Sequence, residues 1–308
     1  MTDITAPRFK TAAAARKHLE AVRWPGGPIC PHCGGIERAS RIKSKKARPG
    51  VWFCGDCRRQ FTVTVGTLFE RSHVPLHKWL LAVHLMSASK KGISAHQLHR
   101  TLGVTYKTAW FMAHRIREAM RDNPDLSPLG GSNKVVEADE TWVGGKAKNR
   151  AFAAPPKKEA VFSLVEREGH VRSFHVPAVN AKTLRPVLVT QIDRKSYLMT
   201  DEAGVYTAVG REFAGHGTVN HSIEEYVRGG WWHTNTMENY FSIMKRGING
   251  VYHHVSHQHL KRYLGEFDFR YNERMGLGVS DAERANKILK GIQGKRLTYR
   301  RIDETANA

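Results

Sequence analysis

Apolar positions change their spacing part-way along the chain, near residue 130. Upstream the pattern is mostly helical. Phe9 to Val22 predicts a short helix that stops at the turn Trp24-Pro25-Gly26-Gly27. Val51-Trp52-Phe53 and Gln60-Phe61-Thr62-Val63 read as strands. Pro75 opens an amphipathic helix over Leu76 to Met86. Ser94 caps a helix through His99 and Arg100, Gly103 turns the chain, and Thr105 caps a second helix through Trp110, Ala113, Ile116 and Met120. Two capped helices around a glycine predict a helix-turn-helix.

Asn123 to Ser132 carries two prolines and two glycines and reads as a linker. Beyond it the spacing becomes that of strands. Val135 to Val143 predicts a strand carrying Asp139, and Ala160–Glu166 with His170–Val176 predicts a hairpin about Glu168-Gly169. Leu184 to Ile192 reads as a helix. Ser196 to Thr200 reads as a strand that delivers Asp201, Thr218 to His221 as a short strand, and Thr236 to Arg246 as a helix. A hairpin followed by a β-α-β-α order is what a ribonuclease-H-like sheet looks like. The expectation is a multidomain α+β chain in five segments. These are a helix and zinc ribbon at 1–72, a helix-turn-helix at 73–122, a linker at 123–133, a ribonuclease-H-like α/β catalytic core at 134–275 and a tail at 276–308.

Four cysteines sharpen the first segment. Cys30-Pro31-His32-Cys33 and Cys54-Gly55-Asp56-Cys57 are two knuckles, the second beginning 21 positions after Cys33. Four sulfurs complete a tetrahedral Zn²⁺ site and leave no open position, so the zinc is expected to be structural. Charge adds a partner. Forty-nine Lys and Arg against 28 Asp and Glu leave a formal +21, a balance that favours a polyanion. Lys43, Lys45 and Lys46 lie in an acid-free run over 38–48, and phosphate contact is expected there. With Ala109, Met112, Ala113 and Ile116 facing inward, the second capped helix leaves Tyr106, Lys107, Thr108 and Arg115 to meet DNA. No apolar run approaches the ~18 residues of a membrane span, and Met1 to Lys10 has no signal-peptide stretch. A cytoplasmic protein, where thiols stay reduced, is expected.

Three acids stand out by position. Asp139 is mid-strand among Val135, Val136 and Ala138; Asp201 ends a strand; Glu238 lies early on a helix that carries Lys245 two turns later on the same face. Such carboxylates can hold two Mg²⁺ or Mn²⁺ ions for in-line attack on a phosphodiester. Each has a plainer reading as a cap, a turn residue or a surface ion pair. Glu140, Asp193, Glu202, Glu224, Glu225, Glu266 and Asp268 are competing acids. Alternation along a strand sends Glu140 to the face opposite Asp139.

Longer stretches carry a resemblance. Arg23-Trp24-Pro25 through Cys30-Pro31-His32-Cys33-Gly34, Gly66-Thr67-Leu68-Phe69-Glu70, Lys91-Gly92-Ile93-Ser94-Ala95 and Thr105-Tyr106-Lys107-Thr108-Ala109-Trp110 look like the N-terminal half of a bacterial insertion-sequence transposase family. So do Ala138-Asp139-Glu140-Thr141-Trp142-Val143-Gly144-Gly145-Lys146, Thr200-Asp201-Glu202, His233-Thr234-Asn235-Thr236-Met237-Glu238 and Met244-Lys245-Arg246-Gly247. The likeness continues into Val251-Tyr252-His253-His254-Val255-Ser256 and Glu266-Phe267-Asp268-Phe269-Arg270-Tyr271-Asn272, and spans roughly residues 10 to 275. It implies an acidic-triad transposase with a ribonuclease-H-like core. Asp139 and Asp201 carry over as the first two metal ligands, Glu238 as the third and Lys245 as the basic residue beyond it. Some relatives have Asn in third place, which makes Asn235 the competing residue, but a carboxylate binds a hard cation more strongly. The implied partners are transposon terminal inverted repeats and target DNA, with a homo-oligomer assembled on them. A DNA-binding regulator without catalysis and a ribonuclease-H-like nuclease are the alternatives. The retained Asp139, Asp201 and Glu238 argue against the first, and the second does not need the N-terminal half.

Overall fold

The computed structural model describes residues 3–44, 46–121, 127–144, 157–219 and 233–298. The chain clusters into two compact units, residues 1–121 with 278–308, and residues 122–277.

In the first unit, Thr11 caps α1 (Ala12–Arg23), its hydroxyl accepting from the Ala14 amide. An antiparallel ribbon follows, β1 (Ala39–Arg41), β2 (Trp52–Cys54) and β3 (Gln60–Phe61), with β2 in the middle. The Glu20 carboxylate of α1 ties helix to ribbon, accepting from Arg41 at 2.7 and 2.9 Å and from the Trp52 indole at 3.3 Å. Trp24 stands edge-on to both Trp52 and Phe61. β1 has no counterpart in the apolar pattern because it is short, polar and largely exposed. Its order comes from pairing with β2.

α2 (Leu76–Ala88) is buried over more of its surface than one amphipathic stripe, with Trp79, Leu80, Ala82, Val83, His84 and Met86 all inside. α3 (Ala95–Leu102) and α4 (Tyr106–Met120) start where their caps predict: Ser94 accepts from Gln97 N and Thr105 from Thr108 N. Gly103, at φ +58°, ends α3 in the left-handed region that glycine enters without strain.

The second unit is built on a five-stranded mixed sheet. β4 (Val135–Val143), β5 (Glu159–Glu166) and β6 (Val171–Val176) form an antiparallel meander. After α5 (Ala181–Gln191), β7 (Tyr197–Asp201) lies parallel to β4; after α6 (Thr207–Gly210), β8 (Gly215–Val219) lies parallel to β7. The order is β6-β5-β4-β7-β8. α7 (Asn235–Gly247) and α8 (His257–Asn272) complete the unit.

Both faces of the sheet are covered. Val136, Ala138, Phe162, Leu164 and Leu198 pack with Leu184 and Leu188 of α5 and with Tyr206. Val143, Val161 and Val165 pack on the other side with Met237, Tyr240 and Met244 of α7 and Leu260, Leu264 and Phe267 of α8. α8 is locked to β6 by polar contacts: Asn272 bonds both backbone groups of Val171, and Asp268 accepts from Ser173 N, Ser173 Oγ and Tyr240 O–H.

From Gly278 the chain belongs to the first unit again. The expected tail contains α9 (Asp281–Lys290), opened by a reciprocal Ser280–Glu283 capping box. Its apolar stripe is short, which is why the pattern alone does not declare it. Ile288 and Leu289 are nevertheless buried, and Arg284 Nε donates to the Ser87 carbonyl of α2 at 3.0 Å.

Candidate active site and metal centre

Alternation fixes where the acids of β4 and β7 point. Val136 and Ala138 face α5, so Asp139 faces α7. Leu198 also faces α5, so Asp201, three residues on, faces α7. The parallel register pairs Val135 with Tyr197 and Glu137 with Met199. Carried two residues further, it sets Asp139 beside Asp201 on one face of adjacent strands.

Electrostatics agree. The Asp139 carboxyl is pushed up to about 7, first by burial and then by the charges of Glu140, Asp201 and Glu238, while a bond from the Glu140 amide at 2.7 Å works against the rise. Asp201 Oδ1 accepts from Ala203 N at 3.1 Å. Glu140 turns to the α5 side, where the Tyr206 hydroxyl donates to it; burial raises its pKa and that hydrogen bond opposes the rise. Glu238, Asn235 and Lys245 are exposed on α7, and Lys245 Nζ lies 6.0 Å from the Phe241 ring centroid.

The cysteines are drawn closer than the acids. Sγ of Cys30 and Cys57 are 3.6 Å apart, as are those of Cys33 and Cys54, and all four lie within 4.8 Å of one another. Zn–S bonds of about 2.3 Å in a tetrahedron require S···S near ~3.8 Å, so the donor set fits zinc. The backbone shapes each knuckle: Gly34 N donates to Cys30 O, Cys30 N to Gly35 O and Cys54 N to Arg59 O. Among the described residues this is the one cluster of three or more ligand-type side chains drawn so tightly. Asp139 feels the charges of Asp201 and Glu238, but the three acids do not close to that distance, and Glu238 is exposed on its helix.

Two stretches match family models, residues 128–272 the ISXO2-like transposase domain and residues 10–60 the transposase zinc-ribbon domain. The chain belongs to the zinc-ribbon insertion-sequence transposases. A relative agrees: an uncharacterized protein in transposable element ISH50 of Halobacterium salinarum is 29% identical over 289 residues, covering 85% of this chain and 91% of that protein. Among solved structures, the chain resembles part of a simian T-cell lymphotropic virus intasome in complex with PP2A regulatory subunit B56 gamma at 16% identity. It covers 56% of this chain and 63% of that chain, and a TM-score of 0.28 is too low to bear on the fold.

Within this transposase, the residues expected to meet DNA divide. Lys43, Lys46, Tyr106 and Lys107 are exposed, and Tyr106 stacks on His96 with ring centroids 4.3 Å apart. Lys45, Gly145-Lys146, Glu224 and Glu225 lie outside the described residues. Thr108 Oγ1 shares a hydrogen bond with Thr105 Oγ1 at the helix cap. Arg115 is half-buried, and its guanidinium donates to the carbonyls of Leu68 at 2.8 Å and Leu297 at 3.3 Å, so it also braces the chain. The α4 stripe leaves position 115 on the polar side; only the returning C-terminal segment makes that side a contact.

Sequence reading passed over Glu137. It is fully buried on the α7 side of β4, two residues before Asp139. Its carboxylate accepts from Met237 N at 2.9 Å and Arg167 Nε at 2.7 Å, and His233 Nδ1 lies 3.4 Å away. Arg167 also donates to the His233 carbonyl. One buried acid thus holds the first turn of the helix that bears Glu238. An acid in phase with Asp139 within an apolar strand was the available signal. Glu266 proves structural, buried and paired with Arg270 and the Tyr252 hydroxyl.

Proposed function

We propose that the chain is a DNA transposase that cleaves transposon ends and joins the freed 3′-hydroxyls to target DNA. In this reading Asp139, Asp201 and Glu238 are the acidic triad of a ribonuclease-H-like core, with Asn235 the competing third residue. Two Mg²⁺ or Mn²⁺ ions, when bound, would activate the attacking water or 3′-hydroxyl and offset charge on the leaving oxygen. The three carboxylates supply hard oxygen donors for them. Lys245, exposed on α7, meets a DNA phosphate. The zinc ribbon and α3–α4, read as a helix-turn-helix, recognise the terminal repeats, with Lys43, Lys45, Lys46, Tyr106 and Lys107 towards DNA. Thr108 serves the same helix through its cap. The working form is a homo-oligomer on DNA in the cytoplasm, and no helix among the described residues is long and apolar enough to cross a membrane.

The observation that supports the reading is that Asp139 and Asp201 fall on one face of adjacent parallel strands, with the charges of Asp201 and Glu238 both acting on Asp139. Cleavage and strand transfer of flanking element DNA in Mg²⁺ test it. Asp139→Asn is expected to lose cleavage by at least about a hundredfold while end binding stays within about twofold. Wild-type binding without any cleavage would favour a regulator that has lost catalysis. Undiminished cleavage by the variant would overturn the triad.

A further inference from the structure

After α9 the chain returns to α4. Leu68 N donates to Ile292 O at 3.1 Å and Gly294 N to Gly66 O at 3.0 Å, which lays the C-terminal segment along the loop after the ribbon. Lys295 Nζ donates to the carbonyls of Glu118 and Arg121 at the end of α4, at 3.0 and 2.8 Å. With Arg115 holding Leu68 and Leu297, two cations are used to fix the walls of a cleft of about 450 Å³.

Two more cations reach solvent. Arg71 and Arg296 line the same cleft, both exposed; the Arg71 side chain is 82% accessible, and its Nε lies 3.9 Å from a carboxylate oxygen of Glu70. Glu70 is the one acid among the lining residues, and its carboxylate accepts from Gly66 N at 3.0 Å. Four cations thus surround a space whose one acid, Glu70, offsets a single charge through its exposed pair with Arg71. Like charges this close repel, and an anion between them relieves the repulsion. Phe111 and Arg115 follow Lys107 at four-residue steps on one face of α4, so the cleft continues the line of the exposed Lys107.

We infer that this cleft holds the sugar-phosphate backbone of double-stranded DNA, with Arg71 and Arg296 as its phosphate contacts. The inference rests on the proposed DNA-binding role and extends it to the loop after the ribbon and the C-terminal segment that lies along it. The contacts are sequence-independent, because guanidinium groups on phosphates position a duplex without reading it.

The test is binding of full-length protein to labelled duplex by fluorescence anisotropy across a potassium chloride series. Removing two phosphate contacts in Arg71→Ala with Arg296→Ala should flatten the slope of log K against log salt by about 1.8. Affinity at low salt should fall about tenfold or more. The matched Arg71→Lys, Arg296→Lys pair should keep most of the slope, since counterion release follows charge. Both positions are exposed, and unchanged zinc content confirms that the variants fold. Wild-type binding with an unaltered slope and affinity in the alanine pair overturns the cleft alone. A wild-type chain that binds no duplex overturns the DNA reading and this inference with it.

Discussion

A carboxyl group that keeps its proton to about pH 7 works against the fold once it ionises. The Asp139 carboxyl stands at about 7 in the folded chain against 3.8 for an ordinary Asp, chiefly through burial. A raised folded-state value means that this residue's contribution is fully present below pH 3.8 and is lost as pH rises through about 7. Asp139→Asn, neutral throughout, should therefore gain stability over wild type as pH passes from 4 to 8. A difference on the order of 1 kcal/mol corresponds to about 2–4 °C in melting temperature. Mg²⁺ at pH 8 should raise the wild-type melting temperature and leave the variant where it was. Melting curves at pH 5 and pH 8, with and without Mg²⁺, check both statements. A variant that loses stability at pH 8 would show that the Asp139 charge is already compensated within the chain.

At the scale of elements, α7 is the part whose placement matters most, and Glu137 is what places it. Its carboxylate meets the Met237 amide, one residue before Glu238, and is itself paired with Arg167. Glu137→Ala leaves that guanidinium half-buried without its acid and should lower stability by about 3 kcal/mol or more. Glu137→Gln keeps an acceptor for the Met237 amide. It should hold most of the fold while raising the Mn²⁺ concentration needed for half-maximal cleavage, since Glu238 is then less firmly set. Equal Mn²⁺ dependence in the glutamine variant and wild type would reduce Glu137 to a core residue. The contrast between α3–α4 and α9 explains what the sequence makes legible. Ser94, Gly103 and Thr105 are local signals that act within one turn, so those boundaries can be read directly. β4 is equally plain, because sheet burial on both faces imposes a run of apolar residues about Asp139. The extent of α8 and the docking of α9 depend on partners far away in sequence, such as Val171 for Asn272 and Ser87 for Arg284. The candidate acids stand out by their places on β4, β7 and α7, but only the longer resemblance gives them roles. The contacts of Glu137 and Arg115 are not legible, because each is defined by a distant neighbour.

Over the whole molecule, two units with separate cores imply two melting events, since a chain of this kind does not behave as one cooperative block. Different ligands should move each event. The cluster of Cys30, Cys33, Cys54 and Cys57 lies in the unit formed by residues 1–121 and 278–308, and zinc binding there is also folding energy for the ribbon. Replacing Cys33 with Ser removes one of four ligands, exposed at the rim of the knuckle. Scanning calorimetry of Cys33→Ser should lose or sharply lower the transition of that unit, together with about one zinc per chain, and leave the other transition within a few degrees of wild type. Mg²⁺ should do the reverse, raising only the transition of the unit that carries Asp139, Asp201 and Glu238. Duplex binding should follow the first transition and disappear with the zinc, because the expected DNA contacts lie with the ribbon, α4 and the returning C-terminal segment. If Cys33→Ser and Mg²⁺ instead shift one shared transition, the two units unfold together and the division of labour between recognition and chemistry loses its thermodynamic basis.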